Sequence, residues 1–326
     1  MLSYEEFKDK ISREILDYLP DEYSDYEVSI VPTLKHNEKN LDGLLIKDSN
    51  SNIAPNIYLN EFYEAYRDGV TLKEIFEKIA ELRTMTDPGM NVDPKKVLEY
   101  SYVKDHIYVC LVNYDLNRRY LSERPFRRFM DLAVLYYVNI SECDLMKNIS
   151  GRMIMCITHD LLKSYNITED ELYKVAVKNT GRPGKYVINN IRDEVVKLRI
   201  EHLVSEGIDE ETARKGAEEE FFDPDCDMMV LSNEDGLRGA AVILNKDILK
   251  KAADIVGGDF YILPSSVDEV FILPFRMMEN EEHLIDMVYE ANTPVRGTDK
   301  YLSDNVYFYD SKKREIGIAK SSACHK

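Results

Sequence analysis

Apolar residues recur at helical spacing from the start of the chain. Tyr4, Phe7, Ile11, Ile15 and Tyr18 draw one stripe down an α-helix that ends before Pro20. Ser3, with Glu6 three places on, has the reciprocal capping pattern that starts such a helix. Residues 26–31 then alternate apolar and polar, and residues 41–46 answer them across the polar stretch 36–40, which predicts a β-hairpin. Residues 57–59 predict a short strand. Thr71 and Glu74 repeat the capping pattern ahead of a stripe through Leu72, Ile75, Phe76, Ile79 and Leu82.

The middle of the chain is more apolar. Residues 107–112 and 132–140 read as strands, the second buried on both faces, with 153–157 as a third. Helices are predicted near 158–164 and 168–178, the latter opened by Thr168 and Glu171. A helical stripe through Ile188, Ile191, Val195 and Leu198 covers 186–204, and a charged helix covers 209–220. From 228 onward, strands at 229–231 and 240–244 flank the turn-forming run 233–236. Asn245 caps a helix closed by Gly257-Gly258. Strands at 260–263 and 270–273, a helix at about 280–291 and a hairpin of 306–309 with 316–319 complete the pattern. The expected class is α+β, with antiparallel sheets, packed helices and a C-terminal order ββαββαββ. Three segments are expected: an N-terminal α+β subdomain over 1–180, a charged helical connector over 181–227, and a C-terminal α+β subdomain over 228–326.

Charge sharpens this picture. Of 326 residues, 60 are acidic and 42 basic, a net −18, which argues against sequence-blind binding to nucleic-acid backbones. Residues 201–236 hold thirteen acids against two bases, a net −11, while 174–200 immediately upstream has a net +5. Glu210, Glu211, Glu218, Glu219 and Glu220 form the densest part of the acidic run. They read either as a docking face for a basic protein or as a solvated helix neutralised by its neighbours. The chain opens without the basic start and apolar run of a secretory signal, and no stretch reaches the ~20 apolar residues of a membrane helix. Five scattered cysteines without a CxxC pair fit reduced thiols, so a cytoplasmic protein is expected.

Candidate chemistry is sparse. Asp223, Asp225 and Asp227, with Glu234 at the twelfth place, imitate a calcium loop. The imitation fails at the sixth place, where Met228 replaces the Gly of the sharp turn. The six histidines form no metal-binding or nucleophile-activating spacing. The remaining candidate is the turn near 259–269. Asp259, Ser265, Ser266, Asp268 and Glu269 bring hydroxyls and carboxylates to strand ends, where paired carboxylates can do acid–base work or hold a metal. The local alternative is a turn in which these groups serve the backbone.

Several segments resemble an uncharacterised family, the domain of unknown function numbered 5688, of gut Firmicutes and their mobile elements. They include Tyr4-Glu5-Glu6-Phe7, Gly239-Ala240-Ala241-Val242, Leu302-Ser303-Asp304 and, most specifically, Phe260-Tyr261-Ile262-Leu263-Pro264-Ser265-Ser266. The resemblance runs over nearly the whole chain and implies a bacterial cytoplasmic origin. It implies a His before the Glu of the 264–269 turn, where this chain has Asp268, and it supplies no catalytic residue. The function expected is a non-enzymatic binding or regulatory module with a basic protein partner, no cofactor and no membrane or nucleic-acid partner. The alternatives are a metal-dependent hydrolase or nuclease-like enzyme using the 259–269 carboxylates, and an acidic nucleic-acid mimic.

Overall fold

A computed structural model describes residues 1–49, 54–85, 94–143, 154–221, 227–278 and 281–319. The chain divides into two compact units, Met1–Ile107 with Tyr137–Asn166 and Tyr108–Tyr136 with Ile167–Lys326. Helices accompany antiparallel sheets throughout, so the α+β expectation holds. Among the described residues no helix is long and apolar enough to cross a membrane.

The first unit opens as its pattern requires. In α1 (Tyr4–Glu14) the Ser3 hydroxyl accepts the Glu6 N–H, and the Glu6 carboxylate accepts the Ser3 N–H. β1 (Glu27–Leu34) and β2 (Asn40–Lys47) pair in unbroken register from Glu27↔Lys47 to Leu34↔Asn40. Asn37 takes a φ of 57° in the turn between them, a conformation Asn tolerates well. β3 (Asn56–Tyr58) adds to β2. α2 (Leu59–Arg67) follows, unannounced by the sequence because its stripe is largely aromatic and of modest helix propensity. α3 (Leu72–Met85) carries the predicted stripe. Phe7, Ile11, Ile15, Leu44, Ile46 and Phe76 meet in one core at 1% exposure or less. The short helices α4 (Pro94–Val97) and α5 (Tyr100–Val103) come next.

β4 (Ile107–Asn113), α6 (Arg118–Leu121), β5 (Arg127–Phe129) and β6 (Leu132–Asn139) carry the middle of the chain. β6 is buried at every position, as its two apolar faces demand. β5 pairs with Leu132–Val134, and β7 (Ile154–Cys156) pairs with Tyr137–Asn139. α7 (His159–Tyr165) and α8 (Glu169–Thr180) follow, α8 with its predicted Thr168–Glu171 capping box.

In the second unit, α9 (Ile191–Ser205) and α10 (Glu210–Glu220) form an antiparallel pair beside a six-stranded sheet. The sheet is built from β8 (Val187–Asn190), β9 (Met229–Ser232), β10 (Phe260–Pro264), β11 (Glu269–Pro274), β12 (Tyr307–Asp310) and β13 (Glu315–Ile318), in the order β13-β12-β10-β11-β9-β8. α11 (Lys246–Val256) and α12 (Glu281–Ala291) complete it. Tyr261, Leu263, Leu273, Leu284 and Val306 share a core.

Two expectations fail in this unit. Ile188 lies in a strand, paired with Leu231, because the Asn190 side chain accepts the Arg192 N–H and starts the helix only at Ile191. Residues 240–244 form a buried 3₁₀ helix, Gly239–Leu244, and not a strand. Arg238 turns the chain into the left-handed region at φ 60°, and Gly239 then passes hard against the β9–β11 end. A Cβ at Gly239 would lie 2.1 Å from the Ser232 hydroxyl and 2.5 Å from the Asp268 carbonyl oxygen. Since the second contact is backbone, Gly239→Ala should destabilise the protein by about 3 kcal/mol, read as a lowered midpoint of urea unfolding.

Candidate functional site

The 264–269 bend is fastened by its own polar groups. Ser266 N–H donates to the Glu269 carbonyl at 3.2 Å, and the Ser266 hydroxyl accepts the Asp268 N–H at 3.1 Å. The Asp268 carboxylate accepts the Arg238 N–H at 2.7 Å and pairs with Lys300, while its carbonyl accepts the Ser232 hydroxyl at 2.7 Å. Val267 is buried, and its N–H donates to the Lys300 carbonyl at 2.8 Å. The two Ser266 bonds close the bend on itself and the others tie it to neighbouring segments, which is the work of a structural turn.

Asp259 is not part of this group. It precedes β10, at the opposite end of the β10–β11 hairpin from Asp268 and Glu269. The five residues of β10 span about 16 Å at roughly 3.3 Å each. There Asp259 accepts the Ser311 N–H at 2.8 Å and the Ser311 hydroxyl. The structure thus brings Ser265, Ser266, Asp268 and Glu269 together and leaves Asp259 apart. Of the calcium-loop acids, Asp223 and Asp225 lie outside the described residues, and Asp227 pairs with Arg276. Among the described residues no three His, Cys, Asp or Glu side chains gather to hold a metal ion.

Glu269 is the electrostatically stressed member. Burial raises its carboxyl above the ordinary range, Asp268 and Glu194 add to this, and a bond from Ser265 opposes it. A carboxyl with a raised folded-state pKa holds its proton in the native chain after the unfolded chain has released it. Stability therefore falls as pH rises from the unfolded value through the folded one, and the deficit persists above that.

The acidic run stands on α10. Asp209 caps the helix by accepting the Thr212 N–H at 3.0 Å. Ala213 and Ala217 are buried, and α10 packs on α9 through this small-residue side. Gly207, at φ 91°, makes the turn between the two helices. Arg199 pairs with Glu220 at 3.0 Å, and Arg214 with Glu210 at 3.0 Å. Glu211, Glu218 and Glu219 are exposed and lie away from the alanines, Glu211 and Glu218 seven residues apart on one face. Arg199 thus answers α10 from upstream, and Arg214 answers it from within the helix.

α9 supplies what the sequence did not disclose. It carries Ile191, Val195, Val196, Leu198, Ile200, Leu203 and Val204, yet none of its residues is fully buried. Leu198 is 63% exposed and Val204 44%. The stripe through Ile191, Val195 and Leu198 was visible as a stripe. Its exposure was not, because periodicity reports which residues share a face and not what covers that face.

The Glu269→Gln variant should melt at a higher temperature than wild type at pH 7–8, with the gain shrinking as pH falls toward 4. Calorimetry across that range measures it, and a lower melting temperature for the variant at pH 7 contradicts the assigned environment.

Comparison with known proteins returns one relationship. No curated protein and no solved structure matches the chain. A family model described as a family of unknown function (DUF5688) matches residues 4–311. Spanning nearly all of the chain, that match shows that the protein belongs to the DUF5688 family.

Proposed function

We propose that the chain is a non-enzymatic module that binds a protein partner, with the α9–α10 pair as its docking surface. The observation that supports this most is the incomplete burial of α9, whose apolar side chains outnumber what α10 covers. Exposed apolar surface forgoes about 25 cal/mol for each Å² that a partner could shield. Large exposed apolar side chains rimmed by polar residues are a feature of association surfaces. α10 adds exposed acids to this pair, Glu211, Glu218 and Glu219, while α9 carries Lys197 and Arg199 on either side of Leu198.

The partner surface that fits is an amphipathic helix with an apolar stripe flanked by Lys or Arg. Its stripe would cover Leu198, and its cations would face the glutamates, steering approach and fixing orientation. The hydrolase alternative needs Asp259, Asp268 and Glu269 at one point, and the length of β10 stands between them. The nucleic-acid mimic needs an uninterrupted line of acids, and Arg199 and Arg214 interrupt this one.

Fluorescence anisotropy with a labelled, helix-forming Leu/Lys peptide tests the reading. The wild-type chain should bind, Leu198→Asp should weaken binding at least tenfold, and a triple Glu211→Gln, Glu218→Gln, Glu219→Gln variant should weaken it several-fold, most at low salt. Equal affinity in all three folded proteins contradicts the proposal.

A further inference from the structure

The second unit holds a cavity of about 530 Å³ that neither the hairpin nor the 264–269 bend uses. Pockets of this size take small organic ligands. α12 contributes one wall through Ile285, Asp286 and Tyr289. The turn after β4 contributes Leu116, and the segment before β12 contributes Tyr301. The lining includes four aspartates and no Lys, Arg or His.

The four aspartates are not equivalent. Asp115 pairs with Arg118 at 2.7 Å, and Asp304 with Arg296 at 3.0 Å, so both charges are answered from outside the lining. Asp131 and Asp286 have no cationic partner among the described residues. Asp131 is nevertheless held in place. One carboxylate oxygen accepts the Ser303 hydroxyl at 2.6 Å, and the other accepts the Tyr307 hydroxyl at 2.9 Å. Both donors are neutral, so they orient the carboxylate and leave its charge uncompensated. Asp286 stands on the exposed side of α12.

Two uncompensated carboxylates on a cavity with apolar and aromatic walls define a ligand class. Among the described residues no three acids converge to cage a compact divalent ion. The complement is positive charge at two points joined by an apolar chain. We propose that this cavity binds an aliphatic diamine or polyamine. One ammonium group sits on Asp131 and another on Asp286, and the methylenes lie along Leu116 and Ile285. The Tyr301 ring adds a face that favours a cation. This inference is independent of the α9–α10 reading, which uses other residues.

Titration calorimetry of the full chain with 1,5-diaminopentane at fixed ionic strength is the test. Wild type should show saturable one-to-one binding, and n-pentylamine, with a single ammonium, should bind at least tenfold more weakly. Asp286→Asn should lose at least tenfold in affinity. Asp131→Asn should lose as much, with circular dichroism to check its fold. Should it fail to fold, Asp286→Asn decides alone. No saturable binding to wild type, unchanged affinity in either folded variant, or displacement of the diamine by magnesium chloride at equal ionic strength overturns the proposal.

Discussion

The apolar side chains of a helix are stable in a fold only where something covers them, and α9, whose apolar residues are spread round its circumference, meets that condition on one side. α10 turns two alanines inward, and alanine methyls allow a close approach but bring little area. Arg199 bridges to Glu220, and Arg192 donates from Nε to the Phe221 carbonyl at 3.0 Å, so polar contacts help to keep the two helices together. What is left over, Leu198 above all, is apolar surface in water. In the first unit, by contrast, Phe7, Ile11, Leu44 and Ile46 disappear completely into one core.

The polar chemistry of the second unit points the same way. Asp259 fastens Ser311, Asp268 fastens Arg238 and Lys300, and Asp131 fastens Ser303 and Tyr307. Each of these carboxylates joins segments distant in the chain, and each is held by donors that leave it little freedom to act as a base. Carboxylate–hydroxyl contacts of this kind are strong because one partner is charged. They replace apolar packing at places where strand ends and loops cannot supply it. The absence of Trp and the abundance of Tyr fit this pattern, since a buried Tyr brings both ring volume and a hydroxyl that needs a partner.

Much of the fold was legible in the residues. The capping pairs Ser3–Glu6, Thr71–Glu74 and Thr168–Glu171 each sit at a helix start, because the spacing directly encodes two local hydrogen bonds. The first hairpin and the double-sided apolar run of β6 were equally plain. The failures are non-local. The strand at Val187–Asn190 exists because β9 is there to pair with it, and Gly239–Leu244 coils because Gly239 meets backbone from a segment thirty residues on. At the candidate site, the clustering of Asp268 and Glu269 was readable from adjacency, whereas the distance to Asp259 depended on the register of β10 with β11. The charge of α10 was readable, and the exposure of α9 was not.

Membership of the DUF5688 family places the chain without assigning it chemistry. The most direct measurement is site-specific photo-crosslinking in native cells, with the cross-linker at position 198 and a control at exposed Lys73 on α3 of the first unit. The account predicts a discrete protein adduct from position 198 only, with the linked segment apolar and flanked by Lys or Arg. The same adducts from both positions, or none from position 198, would contradict it.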